Sequence, residues 1–284
     1  MNIKAKSKPR TFVLGMYSIC CILRAIEYFL LRTDQTIIGE AFIHKLLGIT
    51  LLAVVLDRIQ YQWQDIGFLP KQWKPDILKG LLLGVSVFVL AYGIEMLVQA
   101  MAGYPPTLNV YVTSYAIAGN RSLQGGFWIF LLCIIGNIVN VIMEEGIFRG
   151  LFPKLLQGKH SFWAACIISS VLFGAWHIAQ PIRNAMDGTQ SVMGAVMSGI
   201  LLVFTSTLLG VQYCMLGSVT GSIWAGMAAH FVNNAIINLL HVSTPGGIDE
   251  LQTLRITIAQ TVSFVIVLAV YLLNQQKKSR TAAI

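Results

Sequence analysis

The sequence predicts an all-α, polytopic membrane helix bundle of about eight transmembrane helices, and three observations carry that reading. Of the 284 residues, 56% are hydrophobic and 11% charged, against roughly a quarter charged in soluble domains. Mean hydropathy is +0.70. Apolar stretches of about 18 to 25 residues recur along the chain, enough to cross a hydrocarbon core of about 30 Å at about 1.5 Å per residue. The net charge of +8 does not point to nucleic acid. Its basic residues gather at the two ends and in particular loops, as membrane orientation requires, and form no phosphate-tracking groove.

Lys4, Lys6, Lys8 and Arg10 precede a first span at about 11–31. Arg24 and Glu27 interrupt it and no A-x-A site follows, so it reads as a retained helix and not as a cleaved signal. At i,i+3 the two charges are expected to pair with each other. A second span, about 40–57, opens on Glu40, His44 and Lys45, placed by the sequence near the headgroups. The segment at about 58–75 sets Tyr61, Trp63 and Trp73 beside Lys71 and Lys74, a composition of the membrane surface. Span three, about 76–101, holds Glu95, and a loop with Pro105, Pro106, Asn120 and Gly125-Gly126 follows. Span four runs from about 127 to 152 or beyond, with Pro153 kinking its last turns without ending them. Spans five to eight cover about 161–178, 192–216, 218–240 and 255–274, with Gly217 alone between six and seven. The chain thus divides into about 1–124 (three helices and the interfacial segment), 125–240 (the polar core) and 241–284 (a last helix and basic tail).

Eight spans with both termini cytoplasmic put the basic ends, Arg58, Lys71, Lys74, Lys154 and Lys159 on one inner side. Arg32, Arg121, Arg183 and Arg255 remain for the outer loops; seven spans would break this asymmetry. The five cysteines lie in apolar runs without zinc-type spacing and read as small core residues.

Charged and amide side chains in such helices ask for a reason, since each costs several kcal/mol unless paired or hydrated. In span four Asn137, Asn140, Glu144 and Phe148 share one face, while Glu145 and Arg149 stand at i,i+4 on the next, the acid preceding the base. Glu145 is therefore expected to be neutralised by Arg149, leaving Glu144 to face what the asparagines face. Span five puts Ser169, Phe173 and His177 on one stripe; span seven does the same with Ser218, Ser222, Gly226, His230, Asn234 and Asn238. Counted from the expected inner ends, Glu144 lies about 20 Å up its helix, His177 about 24 Å, and His230 and Asn234 about 18 and 24 Å. A carboxylate with an imidazole can deprotonate water for attack on a carbonyl, while a second imidazole and an amide donate to the oxyanion. The set Glu144, His177 and His230 could instead hold a catalytic zinc, though no H-E-x-x-H spacing is present.

The ordered motifs Glu144-Glu145-x-x-x-Arg149, Phe173-x-x-x-His177 and His230-x-x-x-Asn234 resemble those of the CPBP family of intramembrane proteases, the CAAX protease and bacteriocin-processing or Abi family. The resemblance covers about 125–240. It implies an intramembrane endopeptidase in which Glu144 with His177 activates water and His230 with Asn234 stabilises the oxyanion. Glu145, Arg149, Phe173 and Asn140 support that site. The family has been labelled metalloprotease, whereas the residue inventory favours glutamate chemistry with no cofactor, zinc being the alternative. The partners expected are a peptide or membrane-protein substrate and the lipid bilayer. A bacterial plasma membrane suits the chain's size, with peptide maturation or bacteriocin self-immunity as the role. Two other readings compete: a non-proteolytic immunity or scaffold protein of the same fold, and an ion-coupled transporter relaying through Glu27, Glu95, Glu144 and His177.

Overall fold

The computed structural model describes residues 8–36, 41–113 and 126–282. Lys4, Lys6, Glu40, Asn120, Arg121 and Gly125, singled out above, lie outside them. The chain folds as α1 (Pro9–Ala25), which runs on into a π-helical turn (Ile26–Leu31), then α2 (Ile43–Ile59) and α3 (Trp73–Met101). Next come α4 (Phe127–Glu145), extended by a second π-helical turn (Gly146–Leu151) and a last helical piece (Phe152–Leu156), and α5 (Phe162–Trp176). A short α6 (Ala179–Met186), α7 (Val192–Thr220), α8 (Trp224–Leu239) and α9 (Gln252–Ala282) complete the bundle.

The architecture is the expected all-α membrane bundle, with a small refinement in the number of full crossings. Six helical stretches, those containing α1, α3, α4, α5 with α6, α7 and α9, are long and apolar enough to cross a membrane. The other two long helices, α2 and α8, have 17 and 16 residues. They are the ones that carry His44 and His230 into the interior, where both histidines are buried.

The bundle is polar inside and apolar outside. Leu82, Val89, Val196, Ile200 and Leu273 are exposed, while Glu27, Glu95, Glu144, Glu145, Arg183 and Arg255 are buried. With lipid outside there is no hydrophobic drive between helices, so close backbone approach has to supply the packing. α8 lies most extensively on α3, where a methyl at Gly80 would collide with the Ala225 carbonyl; α5 lies on α7, where one at Gly174 would collide with the Val203 carbonyl. One apolar cluster joins α1, α2, α4 and α5 through Val13, Leu52, Met143, Phe148 and Trp176. A second joins α3, α8 and α9 through Phe88, Val232 and Ala259.

Pro153 does not end span four, as the sequence predicts: the helix passes through a π turn and continues to Leu156. The proline cannot donate to the carbonyl of Arg149. One residue earlier, the Phe148 carbonyl accepts from Ser169 Oγ of α5 at 2.5 Å.

Several local expectations are corrected. The break between spans six and seven is not at Gly217, which stays helical; α7 ends at Thr220 and closes on Gly221 at φ 79°. That left-handed conformation suits glycine. Ser218 therefore belongs to α7 and Ser222 to the turn, and the polar stripe of α8 begins at Gly226. Arg24 and Glu27 do not pair with each other. Glu27 accepts from His44 Nδ1 at 2.6 Å, from the backbone N–H groups of Ile43 and His44, and from the Thr33 hydroxyl. His44 is thus a buried residue and not an interfacial one. Arg183 and Arg255, expected in outer loops, are buried as well. Arg183 pairs with Asp187 at 2.7 Å and Asp34 at 3.5 Å; Arg255 pairs with Glu95 at 2.6 Å and Asp249 at 2.8 Å.

A feature absent from the sequence reading is a three-stranded antiparallel sheet at one end of the bundle. β1 (Thr107–Val110) pairs with β2 (Leu240–Thr244), and β2 with β3 (Gly247–Ile248), in register Thr107 to Ser243 and Ser243 to Ile248. It covers the Glu95–Arg255–Asp249 cluster, where His241 Nδ1 meets Asp249 at 2.5 Å.

Candidate active site

Glu144 and Glu145 stand at the last turn of α4 before its π-helical turn, a kind of local unwinding that recurs at functional sites. Both carboxylates are buried, 3% and 0% exposed. They point to different neighbours. The Glu144 carboxylate accepts from the Trp176 indole N–H at 3.2 Å and from Asn140 Nδ2 at 3.4 Å. Glu145 faces His230, whose Nδ1 lies 2.8 Å from Oε1, and Arg149 at 3.4 Å.

His230 therefore joins the two acids, since its other nitrogen, Nε2, lies 3.6 Å from Glu144 Oε2. Its ring is stacked on Tyr213, with centroids 5.3 Å apart and planes at 24°. Arg149 is caged by aromatic rings, 3.8 Å over Phe173 and 5.5 Å from Tyr213, a position of cation–π attraction. The i,i+4 pairing of Glu145 with Arg149 is present, but the closer partner of Glu145 is the imidazole of α8.

His177 caps the C-terminal end of α5 and does not sit within it. Its Nδ1 lies 2.9 Å from the Phe173 carbonyl. A carbonyl only accepts, so Nδ1 carries the proton and Nε2 is left with a lone pair, the tautomer a base requires. The ring is half-buried, as is Asn234, whose Oδ1 accepts from Asn233 Nδ2 at 3.1 Å. Phe173 packs edge-on against both histidines, with centroid distances of 4.7 Å to His177 and 6.0 Å to His230.

The depth arithmetic for His230 changes. α8 starts at Trp224, so His230 is about 9 Å along it. It still reaches Glu144, because α8 begins recessed on the segment before α3: Ile223 N–H donates to Gly67 O at 3.1 Å and Trp224 Nε1 to Leu69 O at 3.0 Å. Asn137, placed on the same face as Glu144, turns back instead and donates to the Cys133 carbonyl at 2.9 Å.

Three residues of this site were not foreseen as such. Trp176 touches Glu144 directly, and Arg24 of α1 lies 4.6 Å over the Trp176 ring with its Nε unpartnered and buried. Arg24 and the buried Lys45 of α2 both act electrostatically on Glu144. A tryptophan one residue before a histidine in an apolar run gives no signal of its own. Arg24 and Lys45 were visible as charges, but pairing with Glu27 and a headgroup location accounted for them. Among the described residues, no group of three or more His, Cys, Asp or Glu side chains is arranged to hold a metal ion.

Residues 126–236 match the family model described as type II CAAX prenyl endopeptidase Rce1-like. A protein of Bacillus subtilis (strain 168), named "Putative membrane peptidase YdiL", is 30% identical over 112 residues. That match spans 39% of this chain and 38% of the relative's length.

Proposed function

From a membrane-integral chain whose residues 126–236 match the type II CAAX prenyl endopeptidase family model, we propose an intramembrane endopeptidase that hydrolyses a peptide bond with a carboxylate-activated water. The observation that carries the reading is the buried meeting of Glu144, Trp176 and His230 from three helices, with His177 at its half-buried edge. Glu144, with His177 Nε2 as second acceptor, holds and deprotonates a water whose oxygen attacks the scissile carbonyl carbon. His230 Nε2–H and the Asn234 amide donate to the oxyanion, and the Glu145 carboxylate on Nδ1 fixes the orientation of the ring. Collapse breaks the C–N bond, and Glu144 passes its proton to the leaving amine.

On this reading, enzyme stripped with a chelator should retain its activity. The substrate is a peptide or membrane protein, acted on in a bacterial plasma membrane with both chain termini cytoplasmic, in peptide maturation or bacteriocin self-immunity. Comparison of membrane peptidomes from wild-type and Glu144→Ala cells tests the proposal. Peptides lost in the variant, with the variant protein accumulating normally, are expected; identical peptidomes would overturn it. A Glu144→Ala variant that keeps the cellular phenotype would instead favour a non-proteolytic immunity or scaffold role. The transporter reading has less support. Glu27 closes on His44 and Glu95 on Arg255, and neither is hydrogen-bonded or ion-paired to Glu144 or His177.

A further inference from the structure

Hydrolysis consumes one water for every bond cut, yet Glu144, Glu145 and His230 are buried within helices whose outer faces are apolar. A small, half-open pocket lies between α3, α7, α8 and α9, with a volume of about 20 Å³, and Tyr213, which stacks on His230, is one of its walls. That is room for one or two waters, each needing about 10–15 Å³ by the same measure.

Its walls are mixed. Val87, Phe88 and Ala259 are apolar, but Gln212, Asn233, Gln260 and Ser263 converge on the same space. Gln212 Nε2 donates to Ser263 Oγ at 2.8 Å, while Gln212 Oε1 is buried without a partner. Gln260 Nε2 reaches Asn233 Oδ1 at 3.4 Å, and Asn233 Nδ2 in turn donates to Asn234 Oδ1 at 3.1 Å. On the other side Tyr213 lines the cavity and stacks on His230. Polar side chains between membrane helices commonly serve as glue, and the Gln212–Ser263 bond does join α7 to α9. Glue alone explains neither the void nor the orphaned amide oxygen, because a buried acceptor left unpaired is costly and a purely adhesive contact would close on itself.

We propose that this cavity is a water site, in which Gln212, Ser263, Asn233 and Gln260 hold one or two waters that replenish the nucleophile at Glu144 by way of the Asn233–Asn234 edge. The supply role rests on the hydrolytic reading; the water site does not. Gln212 and Asn233 are accordingly positioning residues for water and do not contact the substrate.

Radiolytic hydroxyl labelling of the full chain in detergent, read residue by residue by mass spectrometry, reports water held against buried rings. Phe88 and Tyr213 should label severalfold faster than Phe152, which is equally buried in an apolar cluster; equal rates would overturn the water site. Gln212→Leu should lose that excess labelling and lower kcat about tenfold, roughly 1.4 kcal/mol in barrier, with KM unchanged. Loss of labelling with unchanged kcat would overturn the supply role. Should Gln212→Leu fail to accumulate, Ser263→Ala removes a single hydroxyl and carries the same two expectations in weaker form. A wild-type chain that labels as expected but cleaves nothing would count against the protease reading and leave the water site standing.

Discussion

At the scale of single residues, the adjacent acids of α4 divide their work by the direction each side chain takes. Glu145 is closer to His230, at 2.8 Å, than to Arg149, at 3.4 Å. Glu145→Gln keeps the volume but weakens the contact that orients the His230 ring, so on the proposed mechanism kcat should fall by about 10- to 100-fold while membrane accumulation stays near wild type, as steady-state kinetics beside quantitative blotting would check. Arg149 acts through its flat guanidinium, lying against Phe173 and near Tyr213. An ammonium cannot reproduce that stacking. Arg149→Lys should therefore lower accumulation as well as activity, and unchanged levels of folded protein would contradict the stacking role.

At the scale of elements, small residues decide which helices touch. Gly174→Val would drive α5 off the Val203 carbonyl of α7, with an expected loss of about 1–3 kcal/mol visible as a lowered melting temperature in detergent. His177 caps α5, so activity should fall with it. Hydropathy made the long helices legible, and i,i+4 spacing made Glu145 with Arg149 legible, because both are local properties of one helix. The end of α7 at Gly221 was not legible: Gly217 and Gly221 look alike in sequence, and only the packing of Ile223 on Gly67 selects the second. The pairing of Glu27 with His44 was hidden for a related reason. A partner three residues away in sequence is an obvious candidate, whereas one across a helix hairpin is found only in the fold. The sheet escaped notice because its strands are short, and β1 and β2 lie more than 120 residues apart.

At the scale of the molecule, buried polar groups fasten the bundle. The Glu95–Arg255–Asp249–His241 group ties α3, α9 and the sheet together. Burial opposes ionisation of Asp249, but hydrogen bonds from His241, Arg255 and the Val242 N–H outweigh it and hold its carboxyl below the usual aspartate range. Its folded value lies below its unfolded one. The stability it contributes is therefore complete above the ordinary aspartate value of about 3.9 and is lost as pH falls through the lower folded value. Asp249→Asn should lower the melting temperature near neutrality by about 2–4 °C and flatten its decline in acid. A variant with the wild-type acid decline would contradict this.

The recessed entry of α8 and the position of Arg24 have a bearing on ancestry. The stretch shared with the CAAX-type family supplies the acids and histidines, but Arg24, Lys45 and the Glu27–His44 pair come from α1, its π-helical turn and α2, ahead of that stretch. The seat for α8 at Gly67 and Leu69 comes from ahead of it too. The matched stretch is thus less than the set of residues that surrounds Glu144 and seats α8. A chimera that receives residues 126–236 alone takes Glu144, Glu145, His177 and His230 without the charges that surround them.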